Sequence, residues 1–448
     1  MRRLFGTDGI RGVANQYPMT PELAFQLGRA AATFFKKAKE KASLAIGRDT
    51  RLSGPMLEEA ISSGISSAGG DVFKLGILPT PAIAHLTKSL KADAGIVISA
   101  SHNPYHDNGI KFFSRRGFKL SDDYEKKIEE LLFKTKRVPH PTGRRIGRVY
   151  SIDDVLRRYE EFVLKSFPPG LNLRGYKIVV DCANGATYRV APQILRELGA
   201  ELITLNDSPD GTNINENCGP LYPKVTRKRV LKEKADVGIS LDGDGDRVIP
   251  IDEKGEVVDG DQVMAFCAQE FIRKKKLPKK TLVATVMSNL GLDLALGRMG
   301  GEVLRTPVGD RYVLDKMLKE NLKLGGEQSG HIIFLEHNTT GDGIITTLQI
   351  LSIMKRRNKP LSELAQVMEK FPQVLVNVKV KKKKAPLEVL EIKKEIERAE
   401  KKLGSGGRIL VRPSGTEPLI RVMVEGRERE EIETIARDIS KVIKKKLS

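Results

Sequence analysis

The feature that most constrains this chain is a repeated unit: a short apolar run that breaks into a loop of glycine and small polar residues. It occurs in "ASLAIGRDTRLSG" (Ala42–Gly54), "AGIVISASHNP" (Ala94–Pro104) and "YKIVVDCANGAT" (Tyr176–Thr187). It returns in "ADVGISLDGDGDR" (Ala235–Arg247), "TLVATVMSN" (Thr281–Asn289) and "NLKLGGEQSGH" (Asn321–His331). Between these runs lie helical patterns such as "TPELAFQLGRAAATFFKKA", with Pro21 early in the helix, where its missing N–H does least harm. Short buried strands alternating with helices predict α/β units with mixed or parallel sheets. Ligands of such sheets gather at the carboxyl ends of the strands, which is where these loops fall.

The last part of the chain follows a different grammar. "PQVLVNVKVKKKK" alternates as a strand, "LEVLEIKKEIERAEKKLGSGG" is a helix closed by glycines, "RILVRPSGTEPLIRVMVEG" is two strands around a loop, and "EREEIETIARDISKVIKKKL" is a helix. This predicts a C-terminal α+β domain. Taking "PHPTGRRIG" (Pro139–Gly147) as a linker, the turn at Asp252–Gly255 as a second and Pro360–Pro372 as a third divides the chain into 1–150, 151–253, 254–368 and 369–448. A length of 448 residues accommodates that many domains.

A formal net charge of +20 raises the question of nucleic acid. With no Trp, 5% aromatic residues and no zinc-finger or RRM-like pattern, the basic-aromatic interleaving of a single-strand binder is missing, and no nucleic-acid partner is expected. The lysines read as a solvated surface whose positive field would draw an anionic small substrate. No apolar stretch approaches the ~20 residues of a membrane span, and the basic N-terminus lacks the apolar core of a signal peptide. Cys182, Cys218 and Cys267 are scattered without a CxxC pair, against a disulfide framework or thiolate zinc site and for a cytoplasmic location.

Four loops carry chemistry. "LDGDGDR" sets Asp242, Asp244 and Asp246 at alternate positions, with glycines that let three carboxylates converge. Hard oxygen donors of this kind suit Mg²⁺ or Ca²⁺. An EF-hand competes, but its sixth position, normally Gly, is Arg247, and "VIPI" follows as a strand. An aspartyl-phosphate phosphatase, with its nucleophile in a D-x-D motif after a strand, is a second competitor. "VRPSGTEPLIR" offers Arg412, Ser414, Gly415, Thr416 and Arg421 as an anion cradle, although Pro-Ser-Gly-Thr is also an ordinary turn. "GGEQSGH" places Glu327 and Ser329 on alternate positions that suit paired sugar hydroxyls, and reads equally well as a polar turn. "TDGIRG" and "GRDTR" add Arg11, Arg48 and Arg51 as candidate phosphate clamps. The fourth loop, "SASHNP", delivers Ser101 beside these groups, which suggests metal-assisted phosphoryl transfer with a covalent serine. Lys111 or His331 could move the proton. A Ser-His-Asp hydrolase fails on pattern, because there is no G-x-S-x-G elbow.

"ISASHNP", "DGDGDR", "GEQSGH" and "RPSGTEP", in that order and spanning nearly the whole chain, resemble the phosphoserine, metal, sugar and phosphate loops of the α-D-phosphohexomutases. "FGTDGIRG", "VGDRYV" (Val308–Val313) and Gln328 point to the amino-sugar branch of that family. Phosphomannomutase/phosphoglucomutase relatives, the alternative, have Met at the position of Gln328 and "VGH" at the position of Asp310. The resemblance implies four domains around a central cleft, the last of the TATA-box-binding-protein-like class. It implies interconversion of glucosamine 6-phosphate and glucosamine 1-phosphate, with a phosphorylated amino sugar as partner and a possible homodimer. It makes Ser101 the phosphorylated serine, with Asp242, Asp244 and Asp246 holding Mg²⁺ together with an oxygen of phospho-Ser101. Glu327 and Ser329 then bind sugar hydroxyls, and Arg412, Ser414, Gly415, Thr416 and Arg421 hold the idle phosphate. Arg11, Lys111, Arg247 and His331 surround the reacting phosphoryl group. Some branches place a histidine at Asp310; its absence here leaves the acid/base role to His331 and Lys111.

Overall fold

The computed structural model describes residues 4–6, 8–36, 41–134, 140–380, 386–413 and 419–447. Three of its four sheets follow one plan. The first contains β1 (Ile10–Val13), β2 (Ser43–Arg48), β3 (Asp71–Ile77), β4 (Ala94–Ile98), β5 (Asp107–Ser114) and β6 (Val149–Ser151), in the order β1-β5-β4-β2-β3-β6. The second contains β7 (Lys177–Asp181), β8 (Glu201–Leu205), β9 (Val237–Leu241) and β10 (Val248–Asp252), ordered β10-β9-β7-β8. The third contains β11 (Thr281–Thr285), β12 (Glu302–Thr306), β13 (Leu324–Gly326) and β14 (Ile332–Phe334), ordered β12-β11-β13-β14.

In each unit parallel strands alternate with helices, and one antiparallel strand returns beside the last of them. β5 runs antiparallel to β4, β10 to β9 and β14 to β13. The connection across each antiparallel pair holds one of the polar loops: Ser101 after β4, Asp242–Asp246 after β9, and Glu327–Ser329 after β13. The three loops therefore occupy equivalent places in three related units. β10 tolerates Pro250 because it is an edge strand, with no neighbour needing that missing N–H.

The fourth sheet, β15 (Gln373–Lys379), β16 (Gly407–Pro413) and β17 (Leu419–Gly426), is antiparallel with the order β15-β17-β16. It is covered by the helices Leu390–Leu403 and Arg429–Leu447, giving the expected α+β unit. Its core is a separate cluster centred on Ile392, Val422, Ile432 and Ile439. A larger core runs continuously through the second and third units and takes in Val97 and Phe113 of the first, so these units are packed together. Among the described residues no helix is long and apolar enough to cross a membrane.

Candidate active site

Ser101 follows β4 with a left-handed backbone, φ 52°, a conformation that costs a non-glycine residue roughly 1–2 kcal/mol. The surroundings hold it there. Its N–H donates to Ser99 Oγ at 2.9 Å, and Ser99 Oγ donates to Asp49 Oδ2 at 2.5 Å. Arg51, wholly buried, pairs with Asp49 at 2.8 Å and donates to the carbonyls of Ser101 (2.9 Å), Asn103 (2.8 Å) and Asp107 (3.0 Å), and also to that of Pro104. Asn215 Nδ2 donates to the Ser101 and Asn103 carbonyls from the second unit. Arg51 is thus a buckle for the serine loop, which corrects its reading as a phosphate clamp: every direction its guanidinium could offer a ligand is already taken. Arg48 Nε is engaged with Glu58, at 3.0 Å.

The Ser101 hydroxyl donates to Asp242 Oδ2 at 2.8 Å. Asp242, Asp244 and Asp246 are all buried, and one carboxylate oxygen from each lies within 4.8 Å of the others. The loop reaches Ser101 because Gly243 has no side chain; a Cβ there would stand 2.7 Å from the Ser101 carbonyl oxygen. Gly245 turns the loop with φ 71°. All three units grip it: Thr80 N–H donates to the Asp244 carbonyl, Ala186 N–H to Gly243 and Gly343 N–H to Gly245.

Burial, then repulsion from Asp246 and Asp244, pushes the Asp242 carboxyl well above its ordinary range. Burial works the same way on Asp246, but His331, Arg247 and Lys111 overcome it and hold that carboxyl low. Asp244 Oδ2 accepts from Thr80 Oγ1 (2.7 Å) and Lys111 Nζ (3.1 Å). The Oδ1 atoms of Asp244 and Asp246 are buried without a hydrogen-bond partner. Orphaned carboxylate oxygens in a converging, hard-oxygen set are what a cation site requires.

Beside this cluster lies a cavity of about 460 Å³, lined by Asp8, Arg11, His102, Lys119, Asp246, Arg247, Asp310, Glu327 and His331 among others. Arg247 donates to His102 Nδ1 at 2.9 Å. Burial, with Arg247 and Arg11 nearby, holds the His102 imidazole neutral, its pKa lowered to about 4. Burial would neutralise Lys111, but Asp244 and Asp8 (3.2 Å) keep it charged. Lys119 bridges Asp8 at 2.7 Å and Asp310 at 2.5 Å. His331 sits with Nδ1 3.5 Å from Asp246 and Nε2 3.6 Å from Asp310, and those carboxylates outweigh burial to raise its pKa. Where some branches have a histidine, Asp310 thus sets a carboxylate against the His331 imidazole.

The other predicted residues divide. Glu327 reaches the cavity, its Oε1 accepting from Gly309 N–H at 3.1 Å. Ser329 is exposed on the same loop. Gln328 turns its amide to Asp259, the N-cap of the helix Gly260–Arg273, so any influence on the cavity passes through the backbone. Arg412 and Arg421 face each other across β16 and β17 and do not line the cavity. Burial and the Arg421 cation depress the Arg412 pKa. Ser414, Gly415 and Thr416 lie outside the described residues. The sequence reading passed over Asp8, Lys119 and Asn215. Asp8 stands inside the quoted "FGTDGIRG"; Lys119 and Asn215 have no local signal.

A chain of four such units, with a buried carboxylate triad beside a loop-borne serine, has known counterparts. Residues 2–138, 158–255 and 259–371 match the phosphoglucomutase/phosphomannomutase α/β/α domains I, II and III, and residues 375–442 match the C-terminal domain. The chain belongs to this family, the phosphohexomutases. Among its relatives, the phosphoglucosamine mutase of Citrifermentans bemidjiense is 57% identical over 449 residues, covering 100% of this chain and 99% of the relative. That of Desulfotalea psychrophila is 54% identical, covering 99% of each. A phosphoglucomutase/phosphomannomutase family protein from Burkholderia thailandensis has the same fold, with TM-score 0.80, 24% identity and coverage of 98% and 97%. So does Aspergillus fumigatus N-acetylphosphoglucosamine mutase in complex with GlcNAc-6P and magnesium, with TM-score 0.71, 18% identity and coverage of 100% and 96%.

Proposed function

We propose that the protein is a phosphoglucosamine mutase, an isomerase that interconverts glucosamine 6-phosphate and glucosamine 1-phosphate through phospho-Ser101 and a glucosamine 1,6-bisphosphate intermediate. The relatives that match end to end support the substrate. The observation that carries the chemistry is the Ser101 hydroxyl, 2.8 Å from the first carboxylate of a buried triad with orphaned oxygens.

In this reading Asp242, Asp244 and Asp246, together with phospho-Ser101, would hold Mg²⁺; the donor set fits a hard cation. The ion, when bound, neutralises charge on the transferring phosphoryl group. The attacking sugar oxygen forms a bond to phosphorus as the bond to Ser101 Oγ breaks, and the proton lost by the sugar hydroxyl is matched by one gained at Ser101 Oγ. Lys111, kept cationic by Asp244 and Asp8, is suited to balancing phosphoryl charge and ill suited to accepting a proton. His331, set between Asp246 and Asp310 and raised in pKa by them, is the group assigned to relay that proton, giving its own to the leaving oxygen as it takes up the sugar's. Arg11 and Arg247 surround the phosphoryl group, and Glu327 and Ser329 take sugar hydroxyls.

The idle phosphate rests on Arg412, Ser414, Gly415, Thr416 and Arg421. Like charges directly opposite on neighbouring strands are unfavourable, and an anion beside Arg412 and Arg421 removes that repulsion. This cradle must accept either phosphate as the bisphosphate turns end for end, so it reads charge and not the sugar carbon. The C-terminal unit meets the third unit through Ser288–Leu290 and would close over the cavity. Domain boundaries at 150, 253 and 368 belong to the same proposal. A mutase assay with glucosamine, glucose and mannose phosphates and Mg²⁺ tests it. Glucosamine phosphate should be favoured in kcat/KM by at least about tenfold, or ~1.4 kcal/mol. Equal turnover of mannose 1-phosphate would replace this reading with a phosphomannomutase/phosphoglucomutase.

A further inference from the structure

Many described surface cations have a carboxylate partner, as in Arg157–Glu161, Lys316–Glu320 and Lys359–Glu363. One concave region gathers several that have none. A cavity of about 430 Å³ at the seam of the first and third units is lined by Lys88, Lys91, Arg115, Arg116, Phe118, Leu335 and Thr339. Four cations line it and no acid does. No described carboxylate pairs with any of the four.

Two separate elements bring these charges together. Lys88 and Lys91 lie at the end of the helix Thr80–Ser89, where the helix dipole favours cations. Arg115 and Arg116 form the tip of the turn after β5, closed by Gly117 N–H donating to the Ser114 carbonyl at 2.8 Å. The helix end accounts for the lysines, and Arg116 lies over the Phe118 ring, but nothing in the turn accounts for Arg115. The floor is apolar, with the Phe118 ring 5.6 Å from the Arg116 guanidinium carbon. The far wall is tied in place by Thr339 Oγ1 donating to the Gly117 carbonyl.

We propose that this cavity binds a small molecule bearing condensed phosphates, a di- or triphosphate. Four cations match the charge of a triphosphate, whereas a single phosphate leaves about half unanswered. Guanidinium groups chelate phosphate oxygens in pairs. The volume lies in the range of small-ligand sites and well above what one phosphate fills. This site is distinct from the catalytic cavity, and its ligand need not be a sugar.

Isothermal titration at low salt, with tripolyphosphate in one arm and ATP in the other, tests the proposal directly. It is carried out on wild type and on Arg247→Gln protein, whose catalytic cavity has lost a phosphate-binding cation. One equivalent should bind in both proteins. Arg115→Gln/Arg116→Gln should weaken that event by about tenfold or more, as should Lys88→Gln/Lys91→Gln; all four side chains are exposed, so folding should survive. The charge-matched pair Lys444→Gln/Lys445→Gln should change it less than about threefold. Tighter binding of ATP assigns a nucleotide resting on the Phe118 floor; equal binding assigns the phosphate chain alone. The proposal is overturned if the cavity variants bind as wild type does, if the control pair weakens binding equally, or if Arg247→Gln abolishes it.

Discussion

Arg51→Gln is the most informative single change, because the structure gives Arg51 a role the sequence did not. Its guanidinium is fully buried, paired to Asp49, and bound to four carbonyls of the loop that carries Ser101. Losing one member of a buried pair costs about 3–5 kcal/mol, since the partner charge is left uncompensated. Burial already raises the Asp49 pKa, and Arg51 is the main opposing influence. Without it the folded-state pKa climbs further. A raised carboxyl contributes stability below its ordinary 3.8 and loses it as pH rises through the folded value, so the variant should be increasingly unstable above pH 4. Asp49→Asn/Arg51→Gln should recover much of the loss by removing both charges. Hydrogen exchange at residues 99–107 reads the loop directly; its protection should fall in the single variant. If ~3 kcal/mol of loop ordering is lost, kcat should drop about 10²-fold. An unchanged exchange pattern with only a raised KM for the sugar phosphate would refute the buckle and restore a phosphate-clamp role.

Ser101→Ala should fold normally, lose nearly all mutase activity and carry no phosphate by intact mass; an adduct mapping to Asp242 would revive the phosphatase mechanism. Asp244→Asn should weaken Mg²⁺ binding at least about tenfold by titration calorimetry, with activity falling in parallel, because it removes a charge from a site with orphaned oxygens. Arg412→Gln should stabilise the C-terminal sheet by about 0.2–1 kcal/mol in urea unfolding while raising KM, because it relieves the Arg412–Arg421 repulsion. His85 is stacked on Phe162 at 3.6 Å, and burial lowers its pKa to about 4. A histidine depressed on folding loses stability as pH falls from 6.5 towards 4, so His85→Phe should flatten the stability profile across that window.

Much of this protein was legible in one dimension. The strand-loop-helix grammar exposed three α/β units, because burial on both faces of a strand leaves an unbroken apolar run. The change to alternating strands exposed the α+β unit. The serine, carboxylate and Glu327 loops were legible because each is a local run whose residue types suit one chemistry.

Tertiary structure decided the rest. Nothing local distinguishes Arg51, a buried buckle, from Arg11, which lines the cavity; burial and long-range partners make the difference. The Asp8–Lys119–Asp310 bridge joins positions far apart in the chain, and its charges are defined only by what faces them. The same holds for Asn215, which clamps the serine loop from another unit, and for Lys111, whose charge is held by Asp8 and Asp244 against burial. A sequence records which groups can ionise or coordinate. Their ionisation and partners depend on desolvation and on charges brought close by folding, neither of which has a period along the chain.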